Sequence, residues 1–198
     1  MVNDTNYWNE FYNNSEEKVM QRSDFCDFVM KSFETTNISN VLDAGCGNGR
    51  DSIALSTKYN VDGADNSGFV QENGENLNFI DCDFVNMEKD KYDLIYSRFS
   101  YHSISDEQQL NFLSTILPNT YLAIEARSIK DIDLDVCHGK THYRNYIDLD
   151  KIMQQLHDND FFVYYSHESK GLAIYKTEDP ICVRIICKKK SLDDVIVD

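Results

Sequence analysis

Residues 40–51, N-V-L-D-A-G-C-G-N-G-R-D, decide how the rest of this chain is interpreted. Two apolar residues precede Asp43, and glycine then occupies every second position at Gly45, Gly47 and Gly49. Glycine weakens strands and helices alike, so this spacing needs a local cause. A short apolar run, ended by glycines and followed by a helix-compatible stretch, predicts a strand, a tight loop and a helix. Such a loop lets a ligand approach the backbone, where the amides at the helix start offer hydrogen-bond donors.

The same alternation of short apolar runs and helical patterns continues along the chain. Strands are predicted at residues 41–44, 61–64, 78–80, 92–97, 121–125, 161–165 and 182–187. Helices are predicted at 15–33, at 50–58, from the capping-box spacing of Ser105 and Gln108 to Pro118, and at 148–157. This order predicts a doubly wound α/β fold with a mostly parallel seven-stranded sheet and an antiparallel hairpin at one edge.

Composition limits the domain count and the partners. A chain of 198 residues suits one domain, with a helical cover predicted at 1–37, a core at 38–188 and a tail at 189–198. The formal net charge of -15 argues against nucleic acid and anionic membranes as partners. No membrane span or export signal is visible. The six cysteines have no zinc spacing, which predicts reduced thiols, a cytoplasmic location and no metal site.

The glycine spacing distinguishes two classes of nucleotide ligand. Dinucleotide-binding enzymes favour G-x-G-x-x-G, whereas here the third glycine of G-C-G-N-G comes one residue early. Asp43 would repel a nearby pyrophosphate but suits the cationic amino group of an amino-acid moiety. The stretch V-L-D-A-G-C-G-N-G-R resembles the first motif of the class I S-adenosylmethionine-dependent methyltransferases. Further motifs follow in the order typical of this family, over residues 41–187.

The resemblance implies a Rossmann-like methyltransferase fold with S-adenosylmethionine as cofactor. In V-D-G-A-D-N-S, Asp65 matches an acidic residue that accepts hydrogen bonds from both ribose hydroxyls. In N-F-I-D-C-D-F, Asp83 matches the acceptor of the adenine amino group, and Phe84 matches the neighbour whose backbone reads the ring. A plain turn role for Asp65, and Asp81 as a competitor of Asp83, are the alternatives. The cofactor-binding residues predicted are Trp8, Asp43, Gly45, Cys46, Gly47, Asp65, Asn66, Asp83, Phe84, Ser97 and Arg98.

Two connections are shorter than this family usually has. About a dozen residues separate Asp65 from the third strand, and few lie between Phe84 and Tyr92, so the helices there must be short or absent. One side of the adenine pocket would then be thinly covered. The N-terminal Y-W-N-E-F-Y predicts either an aromatic lid over that side or a hydrophobic staple on the core.

The catalytic prediction concerns two histidines. S-adenosylmethionine already activates its methyl group, so the protein mainly aligns a nucleophile and excludes water, with no metal required. A hydroxyl acceptor also needs a base, and histidine suits that role near neutral pH. His102 follows the fourth strand, and His142 lies in T-H-Y-R-N-Y after the fifth. Position favours His102, with packing or capping as its alternative role.

Two arginines stand out in a midsection that has few basic residues. Arg127 ends I-E-A-R, and Arg144 lies in H-Y-R. If both face the cleft, they predict an anionic acceptor group such as a phosphate or carboxylate. The alternative is structural ion pairing with Glu125 or Asp148.

The function predicted is S-adenosylmethionine-dependent methylation of a small-molecule acceptor, with the hydroxyl of a sugar, phosphosugar or surface glycan as the leading class. A module that binds S-adenosylmethionine without turnover is the first alternative, motivated by the short connections. A nicotinamide-dependent oxidoreductase is the second. The acceptor and the oligomeric state are not specified by the sequence.

Overall fold

The structure of the protein is a computed structural model. It describes residues 7–10, 21–68, 72–132 and 142–191.

A seven-stranded sheet forms the centre of the fold. Its strands are β1 (Asn40–Ala44), β2 (Asn60–Asp65), β3 (Leu77–Asp81), β4 (Leu94–Arg98), β5 (Tyr121–Arg127), β6 (Phe161–Ser169) and β7 (Cys182–Lys189). Their order in the sheet is β3-β2-β1-β4-β5-β7-β6. The first five strands are parallel, and β7 runs antiparallel between β5 and β6. The predicted doubly wound sheet with an edge hairpin is confirmed.

Four α-helices flank the sheet within residues 21–191 of the described chain, and residues 7–10 are also helical. They are α1 (Asp24–Ser32), α2 (Arg50–Leu55), α3 (Asp106–Ser114) and α4 (Leu149–Asp158), with single 3-10 turns at Tyr101–Ser103 and Ile129–Asp131. The predicted capping box is present in full, because Ser105 and Gln108 bond each other's backbone amides at the start of α3. Asp148 caps α4 by accepting from two amides.

Three helix boundaries differ from the predictions. The helix predicted at 15–33 was too long, because residues 21–23 are not helical and the Ser23 hydroxyl caps α1 at Cys26. Residues 15–20 of that prediction lie outside the described residues. Helix α2 ends at Leu55 instead of residue 58. Helix α3 ends at Ser114, one turn before Pro118.

Alternate residues of the central strands bury two separate cores. Leu42 and Ile95 belong to a cluster with α3 and α4, whereas Val41 and Leu94 belong to a cluster with α1 and α2. Successive strand residues point to opposite faces, so the two helix pairs cover opposite faces of the sheet. Both faces are therefore apolar, as a mostly parallel sheet requires.

The connections around β3 lack helices in the described residues. This holds for residues 66–68 and 72–76 before β3 and for 82–93 after it, as the short spacing predicted. None of the helices that the structure describes has the length and apolar character needed to cross a membrane.

Candidate active site

The loop after β1 depends on glycine for its backbone conformation. Gly45, Gly47 and Gly49 have φ angles of 79°, 54° and 73°, values that cost other residues roughly 1–2 kcal/mol each. The amides of Gly45 and Cys46 both donate to the carbonyl of Ala64 at the end of β2, at 2.8 and 3.1 Å. Burial raises the pKa of Cys46 well above its usual value, so its side chain stays a thiol.

Gly45 is also required by a contact within the protein. A Cβ atom at this position would overlap Cβ of Ser100, in the loop after β4. Ser100 donates its hydroxyl hydrogen bond to the carbonyl of Ala44 and lies 2.7 Å from the hydroxyl of the buried Ser97. The need for glycine at position 45 was predicted from positive φ and from ligand approach. The structure adds close packing between the loops after β1 and β4, which no local pattern in the sequence indicates.

Asp43 is buried beneath the glycine loop. Its side chain accepts a hydrogen bond of 2.5 Å from the hydroxyl of Ser52 in α2. Burial raises the pKa of Asp43 to about 7, and the negative charges of Asp51 and Asp65 add to that effect. The carboxyl group therefore changes charge near neutral pH.

A second buried carboxylate fixes α2 behind the loop. Asp51 accepts 2.7 Å hydrogen bonds from the amide and hydroxyl of Ser23 and from the hydroxyl of Tyr96. Ser23 is the residue that caps α1. The starts of α1 and α2 are thus held together by one side chain on the sheet face that carries Tyr96.

Asp65, at the end of β2, supports the same loop. One carboxylate oxygen accepts from the amide of Gly47 at 2.9 Å and the other from the amide of Ser67 at 2.8 Å. A carboxylate has about four acceptor positions, so each oxygen retains capacity for another donor. The neighbouring Asn66 is exposed.

Asp83 and Phe84 lie in the turn after β3. Asp83 accepts from the amide of Val85 at 2.9 Å and from the Asn86 side chain at 2.7 Å, which leaves acceptor positions on both oxygens. Phe84 packs edge-on against Phe112, with ring centroids 5.8 Å apart. A Cβ at position 45 would lie 3.4 Å from its ring, so this turn adjoins the glycine loop. Asp81, the competing candidate, is an exposed residue at the end of β3.

A buried carboxylate pairs with two arginines beside the ends of β4 and β5. Glu125 is fully buried and accepts from Nε of Arg98 at 2.9 Å and from Nε of Arg184 at 2.6 Å. The Arg98 guanidinium also lies 4.5 Å from the ring centroid of Phe99, whose φ of 57° is unusual for a bulky residue. Each charge therefore has a partner inside the fold.

The geometry of His102 does not suit a base. Its Nδ1 accepts the backbone N–H of Arg127 at 3.2 Å. Burial, reinforced by the positive charges of Arg127 and Arg144, lowers the pKa of His102 to about 3, so the ring is neutral at pH 7. In a neutral imidazole with Nδ1 as acceptor, the proton is on Nε2. His102 can then donate through Nε2 but has no lone pair for a substrate proton.

Arg127 is occupied by carboxylates within the fold. Its Nη1 lies 2.5 Å from Asp131, and its Nη2 contacts Glu178. The structure therefore favours the predicted alternative of a structural ion pair for Arg127. Its partners are Asp131 and Glu178, where Glu125 or Asp148 had been predicted. Arg144 is partly buried and close enough to His102 to affect its pKa.

Helical residues 7–10 connect both sides of this edge. The ring of Tyr7 lies 4.6 Å, and that of Trp8 4.8 Å, from the ring of the buried His142. Asn9 donates to the carbonyl of Ser67 at 3.0 Å. Because β1 and β4 lie between β2 and β5 in the sheet, a segment joining Ser67 to His142 crosses the ends of those two strands. This arrangement supports a lid over that edge.

Residues 41–118 match the family model described as a methyltransferase domain. This match supports a class I S-adenosylmethionine-dependent methyltransferase. The matched region begins at β1 and includes the glycine loop, Asp65, Asp83 and Arg98. The match favours a methyltransferase over the alternative of a nicotinamide-dependent oxidoreductase. Among curated proteins, no match to the sequence was found.

Solved methyltransferase structures share the fold of this methyltransferase at low sequence identity. The Burkholderia thailandensis 1,6-didemethyltoxoflavin-N1-methyltransferase, with 1,6-didemethyltoxoflavin and S-adenosylhomocysteine bound, is 14% identical with a TM-score of 0.68, over 93% of this chain and 86% of that one. An S-adenosylmethionine-dependent methyltransferase from Clostridium acetobutylicum is 12% identical with a TM-score of 0.64, over 93% and 97%. A Methanosarcina mazei methyltransferase is 16% identical with a TM-score of 0.63, over 82% and 97%.

S-adenosylmethionine is the cofactor of this methyltransferase, and its predicted site has suitable donors and acceptors. Asp65 and Asp83 retain acceptor positions for ribose hydroxyls and an adenine amino group. The acidic Asp43 lies under the glycine loop, where a cationic amino group is expected. When bound, the cofactor supplies an activated methyl group. In the described residues, no cluster of histidine, cysteine and acidic side chains is suited to a metal ion.

Asp43 should make stability depend on pH. Its pKa is about 7 in the folded protein and near 3.8 in the unfolded chain, so the folded state retains a proton that the unfolded chain has released. The free energy of unfolding therefore falls as pH rises from about 4 to about 7. Roughly 2–3 kcal/mol of that loss occurs between pH 5 and pH 7. Asp43→Asn, which keeps an acceptor for Ser52, should remove that loss in urea unfolding at about pH 5 and pH 8. Exposed Asp90→Asn is the control, and equal pH slopes in wild type and Asp43→Asn would contradict the prediction.

Proposed function

We propose that this methyltransferase transfers a methyl group to a hydroxyl of a small molecule in the cytoplasm, with an uncharged sugar as the leading acceptor class. The observation that carries the proposal is the segment at residues 7–10, bonded to Ser67 on one side and packed on His142 on the other. A segment placed across the ends of β1 and β4 suits an enclosed acceptor, since closure excludes water from the reaction. The relative that holds S-adenosylhomocysteine together with 1,6-didemethyltoxoflavin also accommodates a small acceptor.

The charges around the site favour an uncharged acceptor over a phosphosugar. A phosphate acceptor would be held by two arginines that face the cleft, whereas Arg127 pairs with Asp131 and Glu178. Arg98 is likewise paired with Glu125. The formal net charge of -15 further disfavours an anionic partner. Aromatic rings of Tyr7 and Trp8 suit the apolar face of a sugar ring or another flat ring.

His142 is the residue we assign as base. It is buried under Tyr7 and Trp8, and Asn145, three residues further on, donates from its amide to the carbonyl of His102 at 2.7 Å. This bond holds the segment beside the turn after β4, where the acceptor is expected. His102, with its Nδ1 occupied, positions that turn through Arg127.

The test is binding followed by turnover. S-adenosylhomocysteine should bind in a calorimetric titration. Turnover is then screened with S-adenosylmethionine and each of three acceptors, methyl glucoside, glucose 6-phosphate and catechol, by measuring the S-adenosylhomocysteine formed. His142→Gln should lower turnover of an accepted compound by about 100-fold or more while cofactor affinity changes little. His157→Gln, at an exposed site, is the matched control. Absence of cofactor binding would reject the proposal. Binding without turnover of any acceptor would favour the non-catalytic binding module that the missing helices around β3 suggest.

A further inference from the structure

Lys89 is a buried ammonium with three oxygen partners and no carboxylate. The residue is 2% exposed. Its Nζ donates to the carbonyl oxygens of Val85 at 2.9 Å and Met87 at 3.0 Å, and to the hydroxyl of Thr115 at 3.0 Å. None of the ion pairs among the described residues includes Lys89. All three donors of the ammonium are therefore used for neutral oxygens.

Two of these oxygens belong to the turn that carries Asp83 and Phe84. Residues 82–93 contain no helix, so their carbonyls lack the regular partners that a helix would supply. The ammonium of Lys89 donates to the carbonyl oxygens of both Val85 and Met87, and these bonds fix the two carbonyls relative to each other. Asp83 reinforces the same turn by accepting from the amide of Val85.

The third oxygen links this turn to α3. Thr115 is the C-cap of α3, where a positive charge interacts favourably with the helix dipole. Nζ also lies 5.1 Å from the ring centroid of Phe112, the residue on which Phe84 packs. One side chain thus holds both the backbone of the turn and the ring that supports Phe84.

Burying this charge is costly, which argues that the contacts matter. Burial lowers the pKa of Lys89 to about 8, and the negative charge of Asp83 opposes that change. An apolar side chain of similar length would avoid the cost but would leave two carbonyls without a donor.

We propose that Lys89 is a positioning residue for the adenine end of the cofactor site, and that it acts by holding Asp83 and Phe84 in place. The inference rests on the proposed roles of Asp83 and Phe84 in binding adenine. Its consequence concerns selectivity for adenine more than overall affinity, because the ribose contact at Asp65 belongs to a different strand.

The experiment compares S-adenosylhomocysteine with S-inosylhomocysteine, which carries an oxygen in place of the adenine amino group. Wild type should bind the adenosyl compound at least about tenfold more tightly, because a carboxylate accepting from the amino group would face an oxygen instead. In Lys89→Met that ratio should fall to about twofold or less. Lys91→Met is the matched control, since Lys91 is exposed and pairs with Asp62 away from this turn; its ratio should equal that of wild type.

The outcomes separate this inference from the proposed function. If wild type binds neither compound, the cofactor site itself is wrong. If wild type discriminates and Lys89→Met discriminates equally, Lys89 has only a structural role and the inference is overturned. Should Lys89→Met fail to fold, Thr115→Val removes one of the three acceptors and should lower the ratio by about half or more, and an unchanged ratio there would also overturn it.

Discussion

Glu125→Gln is expected to lower the free energy of unfolding by about 3–5 kcal/mol, because it would leave the buried Arg184 and the partly buried Arg98 without their shared carboxylate. Glu125 is 0% exposed and bonds Arg98 on one side and Arg184 on the other. An amide in its place would direct an NH₂ group at one of two donors. Urea denaturation at neutral pH, with the midpoint and slope fitted together, is the measurement.

Asp27→Asn is the matched control for that substitution. It makes the same change from acid to amide in an ion pair with Arg22 in which both side chains are about half exposed. Exposed pairs contribute about 0–1 kcal/mol, so its effect should be small. A loss below about 1 kcal/mol for Glu125→Gln would contradict the view that this carboxylate neutralises the buried arginines.

Asp65→Ala is expected to weaken S-adenosylhomocysteine binding by about 10-fold to 150-fold, since the two ribose hydrogen bonds proposed for Asp65 and its support of the glycine loop would be lost together. The carboxylate of Asp65 holds the amides of Gly47 and Ser67. Calorimetric titration gives the change in affinity. A parallel thermal melt shows how much of the change comes from the fold.

Asp62→Ala provides the control for Asp65 on the same strand. Asp62 accepts from Tyr92 at 2.7 Å and Asn78 at 3.2 Å and pairs with Lys91, so its loss should lower stability. It lies nearer the start of β2, away from the glycine loop, and affinity should stay close to that of wild type. If the two variants weaken binding equally, Asp65 has no specific ribose contact.

The strand pattern, the capping box at Ser105 and the glycine loop were predictable because each depends on neighbouring residues. The alternation of apolar residues over a few positions indicates which strand residues are buried. The two residues of the capping box, Ser105 and Gln108, are only three positions apart. The start of α1 was harder to place, since Ser23 caps the helix and also bonds Asp51, 28 positions away.

The candidate site was predicted less completely, for the same reason of distance along the chain. His102 and Arg127 looked available in the sequence, but the first accepts a backbone amide and the second pairs with Asp131 and with Glu178, 51 residues away. Lys89 has no motif around it, and only the folded turn shows its three acceptors.

By itself the sequence determined the α/β fold, the glycine loop after β1 and the likeness to methyltransferases, because periodicity and local spacing carry that information. Only the tertiary structure decided which charged side chains form ion pairs within the fold. It also showed that a side chain at position 45 would overlap Ser100, and that residues 7–10 contact both Ser67 and His142. These features depend on contacts between residues far apart in the chain, and such contacts exist only once packing has brought the elements together.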